Sequence, residues 1–156
     1  MDERAFHEFY AATARALRAY AAHALGDRAL ADDVVQESCL RLLRMPNAPD
    51  DPDELRRLAF RIASNVMNDE WRRRGRLARA AAAQAPEAIT PSPDYARRLD
   101  MLRVFARLEP RQRQMMWLAY VEGENHAAIA ATLGLREGSV KVLLHRARRK
   151  LASLMK

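Results

Sequence analysis

The sequence has few of the residues on which enzymes and metal proteins depend. Cys39 is the one cysteine among 156 residues, which excludes an internal disulfide and a cysteine metal cluster. Its apolar neighbours favour an inert buried thiol over a redox sensor. The four histidines (His7, His23, His126 and His145) show no metal-ligand spacing, and no nucleophile–base pair or glycine-rich phosphate loop occurs. We therefore expect no catalytic residue, no metal site and no cofactor.

Long apolar runs are also missing. No segment approaches the roughly 18 apolar residues that a membrane-spanning helix requires. The first ten residues, "MDERAFHEFY", are charged where a signal peptide needs an apolar stretch. Both absences predict a cytoplasmic protein without membrane insertion.

Aromatic residues make up 6% of the chain and β-branched residues are sparse, whereas alanine and leucine are abundant. This balance favours helices over sheets. The sequence therefore predicts an all-α protein.

Positive charge is unevenly distributed along the chain, whose net charge is +7. Residues 1–74 hold 12 Lys/Arg against 13 Asp/Glu, whereas residues 99–156 hold 11 against 5. A net charge favours polyanionic partners only in a general way, but its concentration at one end indicates a particular surface.

Apolar spacing predicts three helices in the first half, over residues 4–25, 27–44 and 53–74. Gly26 ends the first, Asp27 caps the second, and the proline-rich "MPNAPDDP" separates the second from the third. The apolar residues predicted for the inner side of the second helix are Leu30, Val34, Val35, Leu40 and Leu43.

Residues 76–97 contain alanine, proline and serine without a sustained apolar stripe, which predicts a flexible linker with some helix at its start. We expect a three-helix domain over 1–75 and a four-helix domain over 98–156. If extended at about 3.3 Å per residue, the linker would span roughly 70 Å.

The second domain ends in the spacing of a helix-turn-helix. Ala130 lets two helices approach, Gly134 permits the turn, and Val140 and Leu143 are expected to hold the second helix against the first. Four positions in register make the pattern moderately specific.

The last helix has a basic side. Stepping 100° per residue places Leu143, Leu144 and Ala147 inward and Val142, His145 and Arg149 outward. Such a side can enter a major groove, although a basic face exposed only to solvent is the simpler alternative. The residues predicted to contact duplex DNA are Arg136, Ser139, Lys141, Val142, His145, Arg146 and Arg149.

Three segments narrow the interpretation: "LGDRALADDVVQESCLRLLR", "LAFRIASNVMNDEWRRRGR" and "LEPRQRQMMWLAYVEGENHAAIAATLGLREGSVKVLLHRARRKL". In order and spacing they resemble the two domains of the extracytoplasmic-function sigma factors, bacterial initiation factors that bind core RNA polymerase. The resemblance covers residues 4–74 and 99–155, nearly the whole chain. It implies three partners: core RNA polymerase, promoter DNA and an anti-sigma factor.

The resemblance implies that a segment of the second helix docks on the clamp helices of the polymerase largest subunit. In that segment Asp33, Gln36 and Glu37 can present acceptors to a basic partner. A purely structural role, in which acids favour the helix dipole, explains the first two acids better than Gln36 and Glu37. The segment comprises Asp32, Asp33, Val34, Val35, Gln36 and Glu37.

The same resemblance implies that the third helix opens and reads the promoter −10 element. Asn65 matches a family asparagine whose amide can donate to and accept from an unstacked base. Asp69 is expected to order neighbouring arginines, Trp71 to serve in the core, and the loop near 46–51 to help form a base pocket. The predicted −10 residues are Arg61, Asn65, Arg72, Arg73 and Arg74.

Several residues depart from the family pattern. Leu58 replaces a usual tryptophan, Asn68 occupies a commonly apolar position, and Ala128 stands where a glutamate is usual. In the last helix the typical Thr-Val-Lys-Ser-Arg-Leu is Ser-Val-Lys-Val-Leu-Leu, with Val142 and Leu143 in place of serine and arginine. These differences imply altered reading of the −35 element.

Three functions fit the sequence. The leading one is a sigma factor that binds core polymerase and directs promoter recognition and DNA opening. A helix-turn-helix regulator that never engages polymerase would not need "DDVVQE" or "RIASN", and a sigma-like decoy for an anti-sigma factor would not need basic DNA-binding surfaces.

Overall fold

The computed structural model describes residues 1–80 and 103–155, with side chains for 1–75 and 103–155. It divides into two compact units, 1–87 and 88–156. The all-α expectation is confirmed, because the described residues form helices and no strand. The helices are α1 (Glu3–Leu25), α2 (Arg28–Arg44), α3 (Pro52–Ala80), α4 (described over 103–106), α5 (Pro110–Tyr120), α6 (His126–Leu133) and α7 (Glu137–Leu154).

Short polar residues and glycines set the helix ends of the first unit. Asp2 accepts from the backbone N–H of Ala5 at 2.7 Å and begins α1, and Gly26 ends it at φ 71°. Asp27 accepts from Leu30 N–H at 3.1 Å and begins α2, which confirms its predicted role as N-cap. A left-handed residue at a helix C-terminus favours glycine because no Cβ is strained there.

The core of the first unit lies among α1, α2 and α3. Leu17, Tyr20, Leu42 and Met67 are completely buried in it. The Tyr20 hydroxyl lies 2.7 Å from Ser64 Oγ, and Ser64 in turn donates to the carbonyl of Phe60 at 2.7 Å. This chain of hydrogen bonds links α1 to α3 inside an apolar core, where an unsatisfied hydroxyl would be costly.

Helix α3 continues beyond the predicted helix 53–74 to Ala80. The first five residues of the predicted linker 76–97 are therefore helical, as expected for the start of that segment. The segment "RLARA" consists of strong helix formers, and the single Gly75 before it costs only about 1 kcal/mol. Residues 81–97 of that linker and 98–102 of the second predicted domain lie outside the described residues.

The second unit packs α5, α6 and α7 around Met115, Leu118, Ile129 and Val140. Pro110 occupies the first turn of α5, as predicted. Asn125 accepts from Ala128 N–H at 2.8 Å and begins α6, which confirms the predicted cap. Helix α6 ends at Leu133 and α7 begins at Glu137, so a turn of three residues connects them.

Tyr20→Phe and Ser64→Ala, alone and together, test the buried hydrogen bond of the first unit. We expect a coupling free energy of about 1 kcal/mol, since each single change removes the same bond. Urea unfolding followed by Trp71 fluorescence in a Trp117→Phe background measures it. Strictly additive losses would show that the bond contributes nothing to the free energy of unfolding.

Candidate protein and nucleic-acid interfaces

The predicted docking segment has a buried side and an exposed side. Val34 and Val35 are each 3% exposed and fix α2 against its neighbours. Asp33 and Gln36 are exposed, and among the described residues neither side chain has a hydrogen-bond partner. Their oxygens are therefore free to accept from a partner protein.

Other acceptors of this segment are already paired. Arg18 Nε donates to Asp32 Oδ1 at 2.8 Å and joins α1 to α2, and Arg41 Nε donates to Glu37 Oε1 at 3.0 Å. Exposed pairs of this kind contribute little to stability, so a basic partner can displace them at small cost.

The prediction that Leu40 and Leu43 lie on the inner side of α2 is wrong. Leu40 is 37% and Leu43 is 42% exposed, because Leu42 and Cys39 occupy the buried side instead. Leu30 is half-buried. The two exposed leucines line a cavity of about 340 Å³ that continues the docking segment, together with Phe6, Tyr10, Arg18, Asp32, Val35, Gln36 and Cys39.

Cys39 is a buried free cysteine that lines the same cavity, a groove along the exposed side of α2. Burial raises the pKa of its thiol above the ordinary value. A neutral thiol is a poor nucleophile, so the structure agrees with the expected inert side chain.

Helix α3 carries the predicted −10 residues in two groups, Arg61 with Asn65 near its middle and the arginines 72–74 further along. Arg61 and Asn65 are exposed one turn apart, while Ile62, Ala63 and Met67 are buried behind them. The face around Asn65 is therefore open to an incoming base or strand.

The arginines at 72–74 are tied to acids to different degrees. Arg73 donates to Glu70 Oε1 at 2.8 Å, and the hydrogen bond and charge of Glu70 raise the pKa of the guanidinium. Arg72 is 77% exposed and lies 3.9 Å from Asp69. Nearby Trp71 is only partly buried.

Arg74 has a structural contact that the sequence did not predict. It donates to Asp27 Oδ2 at 3.3 Å and lies 3.7 Å from Glu70. The other oxygen of Asp27 caps α2. One carboxylate therefore joins the start of α2 to the far part of α3.

The loop between α2 and α3 borders a cavity of about 820 Å³ beside the start of α1. Asn47, Asp50 and Asp53 contribute polar groups to its lining, and Phe9 and Leu55 contribute apolar ones. Residues 46–50 of the loop that is predicted to help form a base pocket line this cavity.

The helix-turn-helix is formed by α6 and α7. Ala130 is buried, Gly134 adopts φ 68°, and its N–H donates to the carbonyl of Ala130. Val140 is completely buried, as expected. The second contact differs: Leu144 is 2% exposed whereas Leu143 is only half-buried, so Leu144 holds α7 in place.

The opposite side of α7 is exposed over its whole length. Val142 is 50% exposed at its centre. The charged residues Lys141, Arg146 and Arg149 are exposed on the same helix. All predicted duplex-binding residues are exposed: Arg136, Ser139, Lys141, Val142, His145, Arg146 and Arg149.

Arg148 was not among the predicted DNA-binding residues. Its guanidinium donates to the Tyr120 hydroxyl at 2.9 Å and connects α7 to the end of α5. Sequence spacing offered no signal for this pair, because 28 residues separate the two.

Within the described residues, no group of three or more His, Cys, Asp or Glu side chains is arranged to hold a metal ion. No described helix is long and apolar enough to cross a membrane.

Comparison with known families assigns both units. Residues 9–77 match the family described as Sigma-70 region 2, and residues 98–151 match Sigma-70, region 4. The ECF RNA polymerase sigma factor SigL of Mycobacterium tuberculosis is 36% identical over 155 residues, covering 95% of this chain and 85% of that protein. The chain belongs to the extracytoplasmic-function sigma factors.

Other relatives agree with this assignment. The ECF RNA polymerase sigma factor EcfG of Rhodopseudomonas palustris is 30% identical over 142 residues, covering 89% of this chain and 78% of that protein. The sigma factor RpoE of Bartonella quintana, solved with the anti-sigma factor NepR, has a TM-score of 0.78 at 24% identity and 96% coverage of both chains, which supports the fold. CnrH, solved with the cytosolic domain of CnrY, has a TM-score of 0.69 at 28% identity, covering 99% of this chain and 89% of that chain.

The Asp27 carboxylate makes two contacts, the cap of α2 and the ion pair with Arg74. Asp27→Asn and Asp27→Ala distinguish their contributions to the free energy of unfolding. Asparagine caps a helix about as well as aspartate, so we expect it to cost less than about 1 kcal/mol by weakening the Arg74 pair alone. Alanine removes both contacts, and we expect a loss of about 1–2 kcal/mol. Urea unfolding of the first unit, followed by Trp71 fluorescence with Trp117 replaced by Phe, measures both. Equal losses for the two variants would contradict the dual role.

Proposed function

We propose that this sigma factor binds core RNA polymerase through α2, opens and reads the −10 element through α3, and binds the −35 duplex through α7. Residues 1–75 form the first functional domain, 76–97 the linker and 98–156 the second domain. The observation that carries the proposal is the exposed stripe of α2, where free acceptors adjoin exposed leucines. A regulator that acts without polymerase has no use for that stripe.

Two kinds of contact make α2 suitable for a protein partner. Asp33 and Gln36 offer acceptors without intramolecular partners, and Leu40 and Leu43 offer apolar area beside them. Protein interfaces combine an apolar centre with a polar surround of this kind. The docking surface therefore includes Leu40 and Leu43 in addition to the residues 32–37.

The −10 function rests on the open face of α3. Asn65 can bind the edge of an unstacked base through its amide, and Arg61 and Arg72 can hold phosphates. Flipping a base costs a few kcal/mol, which contacts to the extruded base must offset. Arg73 and Arg74 contribute less to DNA binding, because acids of the same unit already hold them.

The −35 function rests on the exposed side of α7. Its arginines and lysine attract phosphates of any sequence, and its central residues face the base edges. Residues 76–80 of the linker are helical and add about 1.5 Å each, so with residues 81–97 extended at about 3.3 Å each the linker would reach roughly 64 Å, close to two helical turns of DNA. Core polymerase supplies the frame that holds both units at a high effective concentration.

The proposed role has three further consequences. The chain carries out no chemistry and needs no cofactor, because the polymerase performs synthesis. It acts in the cytoplasm, where polymerase and chromosome meet. An anti-sigma factor restrains it, in keeping with the two structural relatives that were solved with NepR and CnrY.

Promoter-dependent transcription with purified core polymerase and a genomic fragment library tests the proposal. We expect initiation from a defined set of promoters. Binding of duplex DNA without any binding to core would instead establish the regulator. Capture of an anti-sigma factor with neither activity would establish the decoy.

Asp33→Ala/Gln36→Ala tests the docking stripe. We expect core affinity, measured by fluorescence titration of labelled sigma factor, to fall about tenfold or more, since two acceptors are lost from the interface. Glu3→Ala is the matched control, because it removes an exposed acid of the same unit that lies outside α2 and outside the groove beside it. Equal effects of the double variant and the control would argue against this surface.

Asn65→Ala tests the opening step. We expect normal core affinity but at least tenfold slower open-complex formation on duplex promoter, followed by 2-aminopurine fluorescence within the −10 element. A template already unpaired in the −10 region should restore most of the rate, because the flipping cost has been removed. An equal defect on both templates would mean that Asn65 does not act in opening.

A further inference from the structure

Val142 is an apolar residue at the centre of a polar surface. Half of its surface is exposed. Its neighbours one turn away, Ser139, His145 and Arg146, are exposed too. A single exposed apolar residue is common on protein surfaces, but Val142 lies on the side of α7 that is proposed to enter the major groove, so its apolar surface would meet the base edges there.

Packing within the unit does not explain Val142. The buried side of α7 consists of Val140, Leu144 and Ala147. Val142 lies about 200° around the helix from Val140 and so points away from the core. Its apolar surface is therefore available to a partner.

Gly138 extends this surface by one turn. It lies four residues before Val142 and is exposed, and a Cβ added there would meet nothing within 4 Å. Glycine weakens a helix relative to alanine, yet no contact within the unit requires it. Gly138 has no side chain and Val142 has a short apolar one. Together they form an uncharged strip that projects less than the basic side chains beside it.

The major groove of DNA offers one apolar group among its donors and acceptors, the 5-methyl group of thymine. Resting on the proposed function of α7, we propose that Val142 contacts a thymine 5-methyl group in the −35 duplex. Gly138 lets the first turn of α7 approach the same groove wall. The basic residues on either side then bind phosphates, so the strip itself supplies base discrimination.

Deoxyuridine differs from thymidine only in that methyl group and keeps its hydrogen-bond pattern. The experiment uses holoenzyme of the full chain and a promoter on which it initiates, with each −35 thymine replaced in turn by deoxyuridine. We expect one replacement to weaken holoenzyme binding about fourfold, the effect of one buried methyl-sized group. With Val142→Ala, that replacement should no longer matter.

Val121→Ala is the matched control, because this valine is 58% exposed in the same unit but outside α7. It should retain the wild-type response to deoxyuridine. A second variant, Gly138→Ala, should unfold at the same or a higher temperature while binding the promoter more weakly.

The outcomes distinguish failure of the proposed methyl contact from failure of the proposed sigma factor function. Initiation that is insensitive to every deoxyuridine would overturn the methyl contact and leave the sigma function intact. The same would follow if Val142→Ala kept the wild-type sensitivity. Failure to initiate at any promoter would overturn both.

Discussion

The carboxylate of Asp27 joins the two helices on which the first unit depends. One oxygen caps α2, which carries the proposed docking stripe, and the other accepts from Arg74 on α3, which carries the proposed DNA-binding face. Capping alone contributes about 1 kcal/mol, and the ion pair adds a link between two residues that are 47 positions apart in sequence. The two proposed sites of this unit are therefore held in place by the same carboxylate. A carboxylate with only one of these contacts would leave the angle between the two helices less constrained.

The two units differ in how far their basic residues are paired with acids. In the first, acids hold Arg18, Arg41, Arg73 and Arg74, and the 12 Lys/Arg of residues 1–74 are balanced by 13 Asp/Glu. In α7 the outward basic residues have no acidic partners among the described residues. The second unit is therefore suited to attract duplex phosphates, whereas the first is suited to selective contacts with a protein and an extruded base.

Local rules predicted the helices well. Asp27, Asn125, Gly26 and Gly134 mark helix ends through their own side-chain or backbone chemistry, which does not depend on distant residues. The helix-turn-helix followed from spacing for the same reason. Periodicity also identified the exposed residues of α3 and α7 at the proposed sites, because it separates the inner side of a helix from the outer, but it did not identify Leu40 and Leu43 of the docking surface.

The errors have physical causes. Leu40 lies about 160° around α2 from buried Leu42, so helical geometry contradicts the inward position that its apolar character suggested. Arg74 could not be recognised as structural, because its partner Asp27 is distant in sequence. The predicted helix 53–74 stops short of Ala80, because residues 76–80 lack the apolar stripe that marks a packed helix and are helical through the propensities of their alanine, leucine and arginine residues.

Buried Gln114 illustrates another limit. Its side chain is fully buried, and its amide atoms have no hydrogen-bond partner among the described residues. Periodicity assigns a side to a residue but does not show whether a polar group placed there is satisfied. A buried amide that stays unpaired costs about 1–3 kcal/mol, which is comparable with the contribution of a buried apolar side chain.

The contacts available on α7 and α3 determine how strongly each could discriminate between DNA sequences at the −35 and −10 promoter elements. A single methyl contact discriminates about fourfold, whereas a bidentate hydrogen-bonded pair is worth about 1–3 kcal/mol, or up to roughly a hundredfold. The family pattern has serine and arginine on α7 where this chain has Val142 and half-buried Leu143, so under the proposed function α7 offers fewer bidentate contacts to the −35 duplex. Phosphate contacts would hold α7 on the duplex without choosing its sequence. We therefore expect the choice of promoter to depend more on the −10 element, where Asn65 and the neighbouring loop are proposed to meet extruded bases.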